Sequence, residues 1–271
     1  MPVFTHVTPA GLEPLAQHGF YPVPAKAPYE RARLQSKAVT LVLFASNKLL
    51  VQGTPANAEE TAALLRKLGI GKEDKHPAFR EEHGMVIGSD EALKGDTFGG
   101  IVVAAVKADD GQRRQLLELG VADSKSLGDE EVLLLAPRIE KMADYEIKNL
   151  YPEDYNGHDG KVTALLNRLH KECYYYLKPG KHIVDKYPGC TVGDVAETKA
   201  ESKYAEVAAA SILARATALK QLEELGAEAG FRLPKGSTHV EEALQELKRR
   251  RLKPERFVKL NFRNVQKALR E

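Results

Sequence analysis

Two apolar segments with an acidic pair between them constrain the fold of this chain more than any other feature. Residues 85–87 are apolar and partly β-branched, and residues 100–106 form an unbroken run of glycine and apolar side chains. Runs of this kind are typical of strands that are buried on both faces. Asp90 and Glu91 follow the first strand after Gly88 and Ser89. Because an unpaired carboxylate is costly to bury, two adjacent acids at the end of a core strand indicate a functional site.

Four glycines surround the acidic pair, at positions 88, 95, 99 and 100. A glycine lets the backbone approach another group closely, because it has no Cβ atom. The glycines therefore favour the functional interpretation of Asp90 and Glu91 over a purely structural one.

The rest of the sequence predicts an α/β domain preceded by a smaller unit. Beyond residue 84, strands are predicted at 85–87, 100–106, 145–150 and 182–185, and helices at 129–142, 161–177 and 198–225. Strands interleaved with helices predict an α/β sheet that is covered by helices on both faces. Before residue 71, a hairpin (38–44 and 48–52) and a helix between Thr54 and Gly69 predict an α+β unit. We expect an N-terminal domain at 1–70, a polar linker at 71–83 and a larger α/β domain at 84–271.

Composition excludes several classes of protein. The chain has 271 residues, of which 43% are hydrophobic and 29% charged, as in an ordinary soluble globular protein. It contains no apolar run of about 18–20 residues, which a membrane span needs, and no signal-peptide pattern. Cys173 and Cys190 show neither metal-binding nor disulfide spacing, so a reducing, cytoplasmic location is expected.

The C-terminal 41 residues are basic, with twelve Lys and Arg against five Asp and Glu. They include the run Lys248-Arg249-Arg250-Arg251. A solvated helix face and a phosphate-facing surface both explain this run, and the sequence alone does not choose between them.

Two further acids lie where a site could form. Asp185 ends the predicted strand 182–185, and sites in α/β sheets form beyond the carboxyl ends of strands. A surface ion pair beside Lys186 explains Asp185 equally well. Glu201 shares a helix face with Ala205, Ala208 and Ile212, which would turn it towards the sheet.

The spacing from Thr198 to Glu201 also matches a capping box, so a purely structural role for Glu201 remains open.

Carboxylates that come close together repel one another unless cations lie between them. Hard cations such as Mg²⁺ prefer oxygen ligands, and two such ions about 3.5–4 Å apart can promote phosphodiester cleavage. The sequence has no Cys/His ligand set, which favours Mg²⁺ or Mn²⁺ over Zn²⁺. His158, His170 and His182 have no metal-binding spacing, and we interpret them as surface or packing residues.

Several motifs, in this order, resemble those of the ribonuclease HII/HIII family, and in particular the bacterial ribonuclease HIII proteins. They are GSDEALKGDTFGGIVVAAV (88–106), GVADSKSL (120–127), YN (155–156), IVDKY (183–187), TKAESKYAEVAAASILAR (198–215), LPKGS (233–237) and NFRNVQKAL (261–269). The resemblance implies a ribonuclease H-like catalytic domain preceded by a small domain similar to the TATA-box-binding protein. It also implies hydrolysis of the RNA strand of RNA/DNA hybrids with Mg²⁺ or Mn²⁺, leaving 5′-phosphate and 3′-hydroxyl ends, by a monomer.

The same resemblance assigns roles to individual residues. The metal-binding and catalytic acids correspond to Asp90, Glu91, Asp185 and Glu201, which agrees with the site inferred above. The substrate-binding positions correspond to Leu93, Lys94, Gly95, Ser124, Lys125, Tyr155, Asn156, Lys199 and Lys235. Among these, Gly95 and its neighbouring amides are our candidates for contact with the ribose 2′-hydroxyl.

One position departs from the family pattern. The family follows its Asp-Glu pair with Gly-x-Gly, whereas this chain has Leu93-Lys94-Gly95. A leucine is costly if the position requires a positive φ, and its side chain intrudes if the loop must approach a ribose. A non-catalytic hybrid-binding protein is therefore an alternative, as is a nuclease of the same fold that cuts DNA, such as a junction resolvase.

Overall fold

The computed structural model describes residues 2–74, 79–121 and 127–270. The chain separates into two compact units. One comprises residues 1–78 with 126–131, and the other comprises residues 79–125 with 132–271.

The first unit is built around a six-stranded antiparallel sheet. Its strands are β1 (Val3–Thr5), β2 (Tyr21–Val23), β3 (Glu30–Gln35), β4 (Val39–Phe44), β5 (Leu49–Gly53) and β6 (Lys72–Asp74), in the order β2-β3-β4-β5-β1-β6. A 3₁₀ helix (Ala10–His18) and helix α1 (Pro55–Lys67) complete the unit. Thr54 caps α1 by accepting a hydrogen bond from the backbone of Asn57, as its position before Pro55 predicts. Leu41, Leu43, Val51, Ala62 and Leu65 belong to its core.

The second unit contains a mixed five-stranded sheet. In chain order its elements are β7 (Val86–Ala92), β8 (Ile101–Ala108), α2 (Asp110–Leu119), α3 (Asp129–Met142, which begins in the first unit), β9 (Asp144–Leu150), α4 (Pro152–Asn156), α5 (Val162–Leu177), β10 (Lys181–Asp185), β11 (Val195–Glu197), α6 (Ala205–Ala229), α7 (Glu241–Arg249) and α8 (Arg263–Arg270). Short 3₁₀ helices lie at Ala200–Ser202 and Pro254–Arg256.

The order of the strands determines where a site can form. The sheet runs β11-β10-β7-β8-β9, with β10 parallel to both β7 and β11, and the two pairings made by β8 antiparallel. The carboxyl ends of β7 and β10 therefore meet at one edge of the sheet. This edge holds the acids that both strands carry at their ends.

The long helix differs from the sequence-based expectation. It begins at Ala205, not at 198, because Lys199 adopts a left-handed conformation (φ +58°) and a 3₁₀ turn follows it. The capping residue of α6 is Tyr204, and it makes no side-chain capping bond. Both arguments that placed Glu201 on this helix, the shared face and the capping box, are therefore wrong.

The segment 71–83, expected as a linker, is structured in the parts that the structure describes. Its first residues form β6, which pairs with β1. Further along, the Arg80 side chain donates hydrogen bonds to Tyr204 and Glu197, and Glu82 pairs with Lys181 at 2.8 Å. The described ends of this segment are thus fastened to the two units.

Within the described ranges, no helix has the length and apolarity that a membrane crossing requires. Cys173 and Cys190 are both free thiols, the first buried and the second half-buried.

Candidate active site

Asp90, Asp185 and Glu201 come together at the edge formed by β7 and β10, next to Glu91. Asp90 lies near the end of β7 and is 6% exposed, and Asp185 is the last residue of β10. The two strands pair in register up to Val184 and Ser89, so Asp185 comes next to Asp90. Asp185 Oδ1 accepts a hydrogen bond from the Ala200 amide at 3.0 Å. That contact brings the buried Glu201, one residue further on, to the same edge.

Asp90 has an unfavourable electrostatic environment. Burial raises the pKa of its carboxyl group, and the nearby charges of Glu91 and Asp185 raise it further. Hydrogen bonds from Ser211 and from the Glu91 amide (2.7 Å) only partly counter this rise in the pKa. The fold therefore holds carboxylates close enough to repel one another, and a cation would relieve that repulsion.

Glu91 is surrounded by positively charged and polar groups. Its side chain is 7% exposed, Oε1 pairs with the Lys94 ammonium, and Oε2 lies 3.4 Å from His170 Nε2. Burial opposes ionisation, but His170 and Lys94 outweigh it and lower the pKa of Glu91. Glu91 is thus held as a carboxylate, engaged by groups of this chain.

The donor chemistry of this edge suits a hard divalent cation, since its buried groups are carboxylates that repel one another. As the side chains stand in the described ranges, however, no three His, Cys, Asp or Glu residues form a group that could hold a metal ion. Binding a cation here requires a rearrangement of side chains. Glu91 is the acid for which this is clearest, because its carboxylate contacts Lys94 and His170.

A buried histidine network lies behind the acids, and sequence reasoning missed its position. Ser89 Oγ lies 2.8 Å from His170 Nδ1 and 2.9 Å from His182 Nε2. Tyr174 stacks on His182 at a centroid distance of 4.9 Å. The sequence allowed these histidines to be either surface or packing residues, and both His170 and His182 pack in the interior. The sequence did contain one indication of the contact between His170 and Glu91. His170 lies on the apolar face of α5, between Leu166 and Cys173.

Ser211 is a second residue that sequence reasoning missed. It lies within the motif 198–215 but carried no assigned role, because a serine on an alanine-rich helix gives no signal of its own. The structure places its hydroxyl against Asp90.

The turn after β7 contains the departure from the family pattern. Leu93 has φ +64°, so this position does require a left-handed backbone. Its side chain is buried (6% exposed), close to Gly99, whereas Gly95 is exposed with no atom within 4 Å of where a Cβ would lie. The leucine is therefore accommodated inside the protein, and the exposed backbone of the turn is at Gly95.

The four glycines divide into two groups. A Cβ on Gly88 would lie 2.3 Å from the Val207 backbone nitrogen, and one on Gly100 would lie 2.0 Å from the Leu150 oxygen. The close approach predicted for these two positions is made by the chain itself. Of these four glycines only Gly95 leaves open space for another molecule, since a Cβ on Gly99 would lie 2.9 Å from the Leu93 side chain.

Lys235 is brought to the same turn by its loop. Asp96 Oδ1 accepts a hydrogen bond from the Gly236 amide at 2.6 Å, and the Thr97 amide donates to the Gly236 oxygen at 2.9 Å. Lys235 and Lys199 are both exposed. Their assignment to substrate binding stays a prediction, while Ser124 and Lys125 lie outside the described residues.

Tyr155 and Asn156 make internal contacts. The Asn156 side chain donates to the Glu255 and Val258 oxygens (3.1 and 2.9 Å) and accepts from the Leu260 amide (3.0 Å). Tyr155 is buried and its hydroxyl contacts Asn261. The two residues fasten the C-terminal segment, and a role in substrate binding remains a prediction.

The basic C-terminal run is partly engaged within the protein. Arg249 and Arg250 both pair with Glu246 at 2.5 Å, and Lys248 donates to the Ala268 oxygen at 2.9 Å. These contacts account for three of the four basic residues and favour the structural interpretation of the run.

Comparison with known proteins identifies consistent relatives. The profile of the family Ribonuclease HII matches residues 87–187 and 181–265. Ribonuclease HIII of Bacillus cereus is 35% identical over 271 residues, covering 85% of this chain and 86% of that protein, and ribonuclease HIII of Bacillus anthracis matches with the same figures.

Two solved structures extend the similarity to the fold. Bst-RNase HIII in complex with Mn²⁺ has a TM-score of 0.63 at 27% identity, covering 100% of this chain and 98% of that chain. Aquifex aeolicus RNase H3 has a TM-score of 0.58 at 28% identity, covering 96% and 99%. These likenesses confirm the predicted fold class, a ribonuclease H-like α/β domain preceded by a small α+β unit.

Proposed function

Since the chain belongs to the ribonuclease HII family, a family of ribonucleases H that cleave RNA in RNA/DNA hybrids, we propose that it is a metal-dependent endoribonuclease leaving 5′-phosphate and 3′-hydroxyl ends. Asp90 carries the proposal. It is a buried carboxylate with a raised pKa, repelled by Glu91 and Asp185 at the edge where two parallel strands end. A fold bears such a cost where it serves a function.

Mg²⁺ or Mn²⁺ is the cofactor that this donor set suits, and the structural relative described with Mn²⁺ supports the choice. Asp90 and Asp185 would ligand the metal directly, with Glu91 and Glu201 completing two sites. Bound there, the cations would supply an activated water and stabilise the leaving oxygen. The protein contributes a fixed backbone frame, since the Ala200 amide holds Asp185 and the Glu91 amide holds Asp90.

Recognition of the hybrid would combine a local contact with a general one. Gly95 offers exposed backbone beside the acids, suited to a 2′-hydroxyl that distinguishes RNA from DNA. Lys235 lies on the loop fastened to this turn, where its ammonium would contact phosphates. We further propose that the N-terminal domain grips the duplex through its shape and its phosphates.

The test is cleavage by the full chain of three labelled duplexes in Mg²⁺ or Mn²⁺: an RNA/DNA hybrid, DNA containing one ribonucleotide, and DNA alone. We expect the hybrid to be cut within its RNA strand and the all-DNA duplex to remain intact. Hybrid binding without cleavage would support the non-catalytic alternative, and cutting of all-DNA substrates would support a DNA nuclease.

The Asp90→Asn variant tests the assignment of the site. The substitution removes the buried charge but preserves shape, so cleavage should fall by at least about a thousandfold while hybrid binding and the circular dichroism spectrum persist. Ser202→Ala changes a half-buried hydroxyl, which donates to the Lys199 oxygen, in the same edge region and serves as the control. Near-normal turnover of Asp90→Asn would refute the assignment.

A further inference from the structure

The turn after β7 places a lysine of this chain against a proposed metal ligand. The Lys94 ammonium pairs with Glu91 Oε1 and lies 5.5 Å from the centroid of the Tyr187 ring. The left-handed backbone at Leu93 reverses the chain at this point, and a hydrogen bond from the Asp96 amide to the Leu93 oxygen (3.2 Å) closes the turn. Lys94 is thereby folded back over the acid that precedes it by three residues.

The pair differs from an ordinary surface ion pair in the burial of the acid. The Glu91 side chain is 7% exposed and that of Lys94 is 39% exposed. The carboxylate is therefore withdrawn from water, and Lys94 is the cation that compensates it at Oε1. The lysine itself has room to move, because its long side chain reaches solvent.

We propose that Lys94 is an internal counter-ion that competes with a divalent cation for Glu91, and so weakens the second of the two metal sites. An ammonium and a divalent cation cannot share one carboxylate oxygen at contact distance without strong repulsion. Glu91 Oε2 lies 3.4 Å from His170 Nε2, so a metal that binds Glu91 through Oε1 must break the ion pair and turn Lys94 outwards.

This inference rests on the proposed function, and it also explains a feature of the structure. The described residues contain no ready-made group of three metal-binding side chains, although Asp90, Glu91 and Asp185 interact electrostatically. Glu91 is turned to Lys94 and His170 instead of to its fellow acids. Release from Lys94 is the rearrangement that would make it available.

Titration calorimetry with Mn²⁺ on the full chain, without nucleic acid, tests the proposal directly. Lys94→Met keeps most of the length of the side chain but removes its charge, and we expect the weaker Mn²⁺ binding event to tighten by about tenfold, the worth of about 1.4 kcal/mol. Lys94→Arg retains the charge and should bind as weakly as the unaltered protein. Lys94→Gln is a second neutral variant, in case the methionine perturbs folding, and it should behave like Lys94→Met.

Lys186→Met is the matched control, since it removes an exposed lysine directly beside Asp185. Its Mn²⁺ affinity should change by less than about twofold, because exposed charges act weakly across water. Unchanged or weaker Mn²⁺ binding in both neutral Lys94 variants would overturn the proposal. If Asp90→Asn and the unaltered protein bind Mn²⁺ identically, the proposed metal site itself fails, and that outcome is distinct from failure at Lys94 alone.

Discussion

Leu93 shows how a residue can be strained and stabilising at once. A leucine at φ +64° carries a backbone cost of about 1–2 kcal/mol, because its Cβ crowds the following carbonyl. Its side chain is 6% exposed, and a buried leucine contributes about 2–5 kcal/mol relative to alanine. Burial outweighs strain, which explains how the chain tolerates leucine where the family pattern has glycine.

This balance predicts an inverted order of stability for two variants. Leu93→Ala and Leu93→Gly both lose the buried side chain, but only glycine also relieves the left-handed strain. We expect Leu93→Gly to be more stable than Leu93→Ala by about 1 kcal/mol, and both to be less stable than the unaltered protein. Urea denaturation of the three proteins measures the order.

In strands and helices a glycine variant is ordinarily less stable than the alanine variant. The opposite order at position 93 would therefore indicate a left-handed backbone. Should alanine prove the more stable, position 93 is not left-handed in solution. The relative cleavage rates of the same variants report separately whether the leucine impairs catalysis.

The candidate site shows which residue positions can be predicted from a sequence and which cannot. The placement of Asp90, Glu91 and Asp185 at neighbouring strand ends was predictable, because a strand pattern indicates where the strand ends and two parallel strands bring their ends together. The contact between Lys94 and Glu91 was not predictable, since it depends on the positive φ angle of Leu93. The contact between His170 and Glu91 depends on how α5 packs against β7, which no local pattern encodes.

At the scale of elements, the site depends on how closely α6 approaches β7. The first turn of α6 lies directly over Gly88, where a Cβ would meet the Val207 nitrogen at 2.3 Å and the Glu206 carbonyl carbon at 2.4 Å. Both contacts are with backbone, which cannot rotate away as a side chain can. This packing sets Ser211, further along α6, against Asp90.

Gly88→Ala should therefore destabilise the second unit by about 3 kcal/mol, the upper end of the cost of overpacking a core. Gly95→Ala is the matched control, because no atom lies within 4 Å of its Cβ position and its change should stay within about 0.5 kcal/mol. Thermal and urea denaturation of both variants provide the comparison. Equal stability of the two would show that α6 does not pack against β7 as described.

The start of α6 also shows where sequence reasoning reached its limit. The alanine-rich pattern fixed the helix but not its first residue, because residues 198–204 are compatible with helix by composition. The left-handed Lys199 and the hydrogen bond from the Ala200 amide to Asp185 are tertiary features that end the regular pattern. Helix α3, by contrast, has the bounds that its own sequence predicts, 129–142.

At the scale of the whole molecule, buried ionisable groups make stability depend on pH in opposing ways. Burial raises the pKa of Asp90 and of Glu206, the latter despite its contact with Arg113 at 2.5 Å, so each binds more protons when folded. These two groups favour the folded state as the pH falls. His182 acts in the other direction, because burial lowers its pKa to about 4 from an ordinary value of 6.5.

A histidine with a lowered pKa binds fewer protons in the folded protein than in the unfolded chain between about pH 4 and 6.5. Its contribution to stability is therefore lost as the pH falls through that window, with a slope of up to about 1.4 kcal/mol per pH unit. Because Asp90 and Glu206 oppose this slope, the total curve does not isolate it, whereas the difference between two proteins does. In His182→Gln the loss of unfolding free energy between pH 7 and pH 4.5 should be smaller than in the unaltered protein by about 1–3 kcal/mol.

His239→Gln, which replaces an exposed histidine of the same unit, should reproduce the original pH dependence in urea titrations at both pH values. Identical pH dependence in all three proteins would mean that His182 is solvated in the folded state, and the buried network around Ser89 would then be absent in solution.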